Sequence, residues 1–130
     1  ARFMAVNKPL PSATIKAYLA PYNNWQNRVG VFRFVQDIPM QPEHPSYETL
    51  LAIEKGLSLV AERKIPVKLI WGGKDFCFND SFYVEWKRRF PHATQHYFPE
   101  AGHYVLEDER ERILPLIEEF LKETSGGMRV

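Results

Sequence analysis

One apolar run and the loop behind it set the architecture of this chain: Ile65-Pro66-Val67-Lys68-Leu69-Ile70-Trp71-Gly72-Gly73-Lys74-Asp75. Residues 67–71 follow a proline and precede two glycines, a pattern typical of a strand buried on both faces in a parallel sheet. The glycines let the backbone turn sharply after the strand. Open α/β sheets keep their chemistry in the loops at the carboxyl ends of their strands. Asp75 occupies such a loop.

A second strand is predicted at residues 94–98, and the loop after it carries His103. The residues between the strands predict a helix over 81–89, capped by Asn79 or Asp80. Two strands joined by a helical crossover run parallel, so their following loops leave the same edge of the sheet. We therefore expect Asp75 and His103 to lie within hydrogen-bond reach or one water apart. An acid beside an imidazole is the orienting half of a catalytic triad.

Plainer interpretations of these residues stay open. An Asp after a strand often caps local N–H groups, and a single histidine is usually a surface or core residue. If functional, Asp75 accepts the Nδ1–H of the histidine and His103 serves as a general base. Glu107 and Asp108 could tune His103 through their charge, although a helix-start role for Asp108 is the simpler interpretation.

The rest of the chain is predicted to be helical. Helices are expected over residues 12–19, about 24–36 and about 46–63, with a proline-rich linker at 38–45. A last helix starts in the acid-rich residues 108–111, and Pro115 predicts a kink or a late start. The fold class is therefore α/β, with one part at residues 1–63 and a β-α-β-α part with two parallel strands at 64–130.

The composition of the chain argues against several classes of partner and cofactor. The net charge of +1 in 130 residues gives no reason to expect nucleic acid, and no apolar run reaches the roughly 18 residues of a membrane span. The single cysteine, Cys77, fits a reducing compartment, so we expect a cytoplasmic protein. Its neighbours Phe76 and Phe78 favour a buried, inert thiol. No cofactor or metal is expected, because the histidines lack metal-ligand spacing: His44, His92, His96 and His103.

Two strands are too few for a stable parallel sheet. We therefore expect the chain to bind a missing half or to pair its exposed strand edge with a second copy, which would make it a homo-oligomer. The sequence does not begin with Met, which suggests that it starts partway through a longer protein.

Two motifs resemble the acid-bearing strand and the histidine loop of the α/β-hydrolases: Pro66-Val67-Lys68-Leu69-Ile70-Trp71-Gly72-Gly73-Lys74-Asp75 and Phe98-Pro99-Glu100-Ala101-Gly102-His103-Tyr104-Val105-Leu106-Glu107-Asp108. The order of acid and histidine also fits that fold. Residues 65–123 match throughout, and residues 12–63 resemble the helical cap inserted before this strand. Within the family the motifs look most like haloalkane dehalogenases, and closest to their branch of bacterial β-lactone decarboxylases.

The resemblance implies that Asp75 is the triad acid, that His103 is the general base, and that the substrate is a small apolar haloalkane, ester, epoxide or β-lactone. In that branch a carboxylate nucleophile forms an ester intermediate, and His103 would activate the water or proton transfer that follows. It also implies a substrate pocket with aromatic lining, although cap aromatics are more often core: Trp25, Phe32, Phe76, Phe78 and Tyr104.

One essential part of the family pattern is missing. The sequence contains no Gly-x-Ser-x-Gly or Gly-x-Asp-x-Gly elbow, so it resembles only the carboxyl-terminal half of such an enzyme. We expect the nucleophile to come from other residues and this chain to be inactive alone. The alternative is a catalytically silent domain that is stabilised as a homo-oligomer through its strand edges.

Overall fold

The computed structural model describes residues 4–125. They divide into two compact units, Pro11–Arg63 and the combination of residues 4–10 with residues 64–125. The first unit is helical and the second is mixed α/β. In chain order the elements are α1 (Ser12–Leu19), 3-10 turns at Ala20–Tyr22 and Gln26–Arg28, α2 (Val29–Gln36), α3 (Tyr47–Glu62), β1 (Lys68–Gly72), α4 (Asp80–Arg89), β2 (Thr94–Phe98), α5 (Val105–Asp108) and α6 (Arg110–Ser125).

The sheet consists of β1 and β2, which are parallel and joined by α4. Lys68 pairs with Thr94 at one end, and Gly72 pairs with Phe98 at the other. The predicted α/β class and the parallel pairing are confirmed. Burial of β1 is weaker than predicted, because only Leu69 and Gly72 are buried and the other three residues are partly exposed. Within residues 4–125 no third strand covers the free side of β1.

A small apolar core holds the mixed unit together. Phe98, Ala101 and Ile113 are buried there, and partly buried side chains pack around them: Ile70, Val105, Leu116 and Ile117. Ile113 belongs to α6, which begins at Arg110 and continues through Pro115. Of the two outcomes predicted at Pro115, the late start is therefore wrong and the kink stays a prediction. Packing of α6 on the core outweighs the hydrogen bond that a proline nitrogen cannot donate.

The helical unit differs from its prediction mainly at helix starts. Ser12 is the first helical residue and Pro11 is the cap, so no side chain caps α1. The second predicted helix is a 3-10 turn followed by α2. Helix α3 covers the predicted residues. None of residues 11–63 is buried, and Ile53 on the predicted apolar face of α3 is 60% exposed.

Helix α4 is fixed by its cap and by aromatic contacts with the sheet. The side chain of Asn79 accepts a hydrogen bond from the Ser81 amide at 3.0 Å, as an N-cap does. Tyr83 lies against Trp71 and Tyr97, with ring centroids 5.7 and 5.1 Å away. Phe82 and Val84 are exposed, although the Phe82 ring meets the Phe78 ring edge-on with the centroids 5.4 Å apart. The aromatic contacts of α4 are therefore made by Phe82, by Tyr83 and by Trp86, which stacks on Phe90.

Candidate active site

The loops after β1 and β2 are joined by backbone hydrogen bonds. Gly73 N–H donates to Phe98 O and Lys74 N–H donates to Ala101 O, both at 2.8 Å. A Cβ on Gly73 would lie 2.5 Å from Tyr97 Oη and 2.8 Å from Pro99 Cα. No described glycine has a positive φ, so close approach of the two loops requires glycine here, rather than the sharp turn that the sequence suggested.

Tyr97 lies beneath this junction and is itself anchored. Its hydroxyl donates to Asp80 Oδ1 at 2.9 Å. The hydrogen bond to that carboxylate, assisted by partial burial, raises the pKa of the Tyr97 hydroxyl above its ordinary value. The phenol therefore stays neutral across the physiological range and acts as a hydrogen-bond donor to Asp80.

Asp75 is held by its own loop. Its Oδ1 accepts the backbone N–H groups of Cys77 at 2.8 Å and Phe78 at 2.9 Å, and its side chain is 9% exposed. The local-cap interpretation of Asp75 is thus correct as far as it goes. The cap does not exclude the interpretation of Asp75 as the partner of a histidine, because a carboxylate has acceptor capacity for more than two donors.

His103 uses that remaining capacity. Its Nδ1 lies 3.0 Å from both Oδ1 and Oδ2 of Asp75, so the expected proximity of the two side chains is present. Beside an ionised carboxylate, Nδ1 of the neutral ring carries the proton and donates it, which leaves Nε2 as the acceptor. The His103 side chain is 29% exposed. The pair therefore has the geometry that orients a histidine base.

Three of the five predicted pocket aromatics surround this histidine. The rings of Phe76, Phe78 and Tyr104 each lie with their centroids 5.6 Å from the His103 ring. Phe76 is 56% exposed and Phe78 is 44% exposed, so apolar surface is open to solvent beside the imidazole.

The other two predicted pocket residues are Trp25 and Phe32, which belong to the helical unit. They are 76% and 62% exposed there, and a place for them in a substrate pocket stays a prediction.

Cys77 differs from its prediction. It is exposed, because Phe76 and Phe78 on either side of it project into solvent and do not enclose it. The backbone of Cys77, rather than its thiol, serves the site by donating to Asp75.

Asp108, whose charge was considered as an influence on His103, makes contacts that the sequence interpretation did not anticipate. It is 4% exposed, and its carboxylate accepts N–H groups from Gly102 at 2.7 Å, Lys8 at 2.8 Å and Asn7 at 2.9 Å. A helix-start role does not describe these contacts, which join the histidine loop to the amino-terminal residues. Nothing in the local pattern signals partners that lie 100 and 101 positions away in the chain.

Among residues 4–125, no group of three or more His, Cys, Asp or Glu side chains is placed to hold a metal ion. No helix in the same residues is both long and apolar enough to cross a membrane.

Comparison with known proteins gives one consistent result. No protein-family model matches the sequence. Over 117 residues, or 90% of its length, the chain is 39% identical to a cis-3-alkyl-4-alkyloxetan-2-one decarboxylase of Shewanella oneidensis. Over 122 residues, or 94% of its length, it is 38% identical to the Xanthomonas campestris protein of the same name. The chain spans 36% and 40% of the length of these relatives. It is thus similar along nearly its whole length to part of two proteins named as β-lactone decarboxylases.

Proposed function

We propose that this chain supplies the acid and the base of an α/β-hydrolase active site. The observation that carries the proposal is the placement of His103 Nδ1 3.0 Å from both oxygens of Asp75. This contact fixes the ring and leaves Nε2 free to exchange a proton. The parallel β1-α4-β2 unit brings the two residues to one edge, which is where such folds place their chemistry.

The substrate proposed for this site is a small apolar ester, specifically a β-lactone with alkyl substituents. The exposed rings of Phe76 and Phe78 beside His103 suit alkyl chains. Both relatives are named for a 3,4-dialkyl oxetan-2-one. Loss of CO2 from that ring breaks the C2–C3 and C4–O1 bonds and leaves a C3–C4 alkene, whereas hydrolysis would give a β-hydroxy acid.

The nucleophile is proposed to come from residues outside this sequence, since the sequence has no elbow motif. An aspartate nucleophile that attacks C4 would form an ester there as the C4–O1 bond breaks. In the hydrolytic route His103 Nε2 would then accept a proton from the water that cleaves this ester. The helical unit, Pro11–Arg63, is proposed to act as the cap, where its exposed aromatic side chains could contact the substrate.

Consumption of a cis-3,4-dialkyl oxetan-2-one by the intact protein tests the proposal. Replacing His103 by Ala should lower the rate about 10²–10⁴-fold, because it removes a general acid–base group. His92→Ala is the matched control, since His92 is exposed and lies in the turn before β2, and it should leave the rate unchanged. Alkene and CO2 as products would identify decarboxylation. An undiminished rate in His103→Ala would refute the assignment.

A silent homo-oligomeric domain remains the second candidate, and a specific observation favours it. None of residues 11–63 is buried, and β1 has no second neighbour within the described residues. Sedimentation of the purified chain separates the two ideas. A stable dimer that neither binds nor consumes a β-lactone would support the silent domain, whereas an active protein would exclude it.

A further inference from the structure

Asp108 lies next to the site without touching either member of the pair. Its carboxylate is 4% exposed, and a buried charge is costly unless hydrogen bonds satisfy it. The donors are backbone amides: Gly102 N–H to Oδ2 at 2.7 Å, Lys8 N–H to Oδ1 at 2.8 Å, and Asn7 N–H to both oxygens at 2.9 and 3.0 Å. This carboxylate therefore ties two distant backbone segments to one point.

Residues 5–8, called here the amino-terminal strap, complete the connection. Ala5 O accepts the Tyr104 N–H at 2.6 Å, and Asn7 Nδ2 donates to Glu100 O at 2.7 Å. Lys8 Nζ donates to Asp108 O at 2.7 Å and to Glu109 Oε1 at 2.6 Å. The Lys8 hydrogen bond lowers the pKa of the Glu109 carboxyl. The strap thus spans the histidine loop from Glu100 to Glu109.

The two residues that flank His103 are both held by this arrangement. Gly102 N–H is bound by Asp108, and Tyr104 N–H is bound by Ala5. A Cβ on Gly102 would lie 2.9 Å from Ala5 O and 3.3 Å from Asp108 Oδ2, so the loop fits closely between strap and carboxylate. With both neighbours fixed, the backbone of His103 has little freedom to carry the ring away from Asp75.

We propose that Asp108, acting through Gly102 and the amino-terminal strap, is a positioning residue that keeps His103 aligned with Asp75. The inference rests on the proposed role of His103 as the base. It assigns to the strap a part in the site, although the strap is more than 90 positions from this loop in the sequence. An ordinary packing role would require only apolar contact. Three backbone donors converging on one carboxylate instead fix the direction of the loop.

NMR of the intact chain tests the inference without relying on turnover. A proton shared between His103 Nδ1 and the Asp75 carboxylate gives a low-field resonance that depends on their alignment. Asp108→Asn keeps the size of the side chain but turns one acceptor into a donor that faces amide donors. The resonance should disappear or broaden, and the Gly102 amide should exchange with solvent at least tenfold faster. Ile113→Val is the control, because it weakens the core without removing a hydrogen bond of the loop.

The outcomes are distinct. An unchanged low-field resonance in Asp108→Asn, or equal loss of it in Ile113→Val, would overturn the proposal. If Asp108→Asn does not fold, Lys8→Met replaces it, because the Lys8 side chain is 54% exposed. This variant removes the Lys8 Nζ hydrogen bonds to Asp108 O and Glu109 Oε1, which hold the strap at Lys8. Faster exchange of the Gly102 amide is then expected, and unchanged exchange would contradict the inference. An altered resonance in a protein that never consumes a β-lactone would refute the proposed function alone.

Discussion

The loop edge of the sheet and the helical segment Pro11–Arg63 are stabilised in different ways. At the loop edge the polar groups meet partners within the same unit: Asp75 binds two amides and an imidazole, and Asp108 binds three amides. In the helical segment no residue is buried. Large apolar side chains such as Phe34, at 75% exposure, face solvent there.

The interactions that position the site residues are thus different from those that stabilise the fold. Hydrogen bonds of the loop edge are short-range and directional, so they can form once the βαβ unit is in place. Apolar burial is the main favourable term in folding, and the helical segment obtains little of it from these residues. The contacts of Asp75 and His103 are thus made within one unit, whereas the apolar side chains of the helical segment are left open to solvent.

The largest expected effect concerns the loop edge. Asp75→Asn should lower kcat about 10⁴-fold, because the amide can donate to Nδ1 and so favours the wrong tautomer of the histidine. Binding of the substrate should change little, since Asp75 acts through His103. Steady-state kinetics of the lactone reaction measure both quantities. A mainly raised KM with an unaltered kcat would argue that Asp75 is only a local cap.

A matched pair of isoleucines probes the two regions directly. Ile113 is 0% exposed in the small core, and Ile53 is 60% exposed on α3. Ile113→Ala should lower the free energy of unfolding by about 2–5 kcal/mol through lost burial and a cavity. Ile53→Ala should change it by no more than about 0.5 kcal/mol. Urea titrations compare the two, and equal losses would mean that another surface covers α3 in the folded protein.

The cap of α4 gives a smaller, local effect. Asn79→Ala removes the acceptor of the Ser81 amide and should cost about 1 kcal/mol of unfolding free energy. Asn79→Asp, which keeps an acceptor at the same place, is the control and should retain nearly all of it. An equal loss in both variants would show that the cap contributes little to the stability of this helix.

The smallest effect belongs to an exposed charge cluster on α4. Hydrogen bonds from Arg88 and then Arg89 lower the pKa of Glu85 from 4.5 to about 2. Because the folded-state pKa is below the unfolded one, the stabilisation is complete above about pH 4.5 and is lost as the pH falls through about 2. Glu85→Gln should therefore lower the melting temperature slightly at pH 7 and by much less at pH 2, where about half of the folded-state carboxyl is protonated. A difference that is undiminished at pH 2 or survives high salt would contradict this account.

Much of the mixed unit was predictable, because local patterns and topology agree there. The apolar run before two glycines predicted β1, a second strand was predicted at the residues of β2, and the Asn79 cap predicted the start of α4. From the crossover alone the meeting of Asp75 with His103 could be expected. The exposure of Cys77 could not be predicted, because its neighbours Phe76 and Phe78 are apolar and favour burial in the sequence, whereas both are exposed in the structure.

Contacts between residues far apart in the sequence could not be predicted from such local patterns. The strap binds Asp108 through backbone amides, which every residue except proline carries, so no side chain identifies residues 5–8 as partners of the histidine loop. At Pro115, too, local sequence is a poor guide, because tertiary packing overrides it. Its local preference predicts a kink or a late start, yet α6 begins at Arg110 and, packed around Ile113, continues through the proline.

The tautomer of His103 tests the central claim most directly. In a sample labelled with ¹⁵N, at a pH where the ring is neutral, the two imidazole nitrogens have distinct chemical shifts for the protonated and unprotonated forms. The account predicts a proton on Nδ1, bound to Asp75 at 3.0 Å, and an unprotonated Nε2. A proton on Nε2 instead would mean that Asp75 does not orient a base, and it would contradict the proposed site.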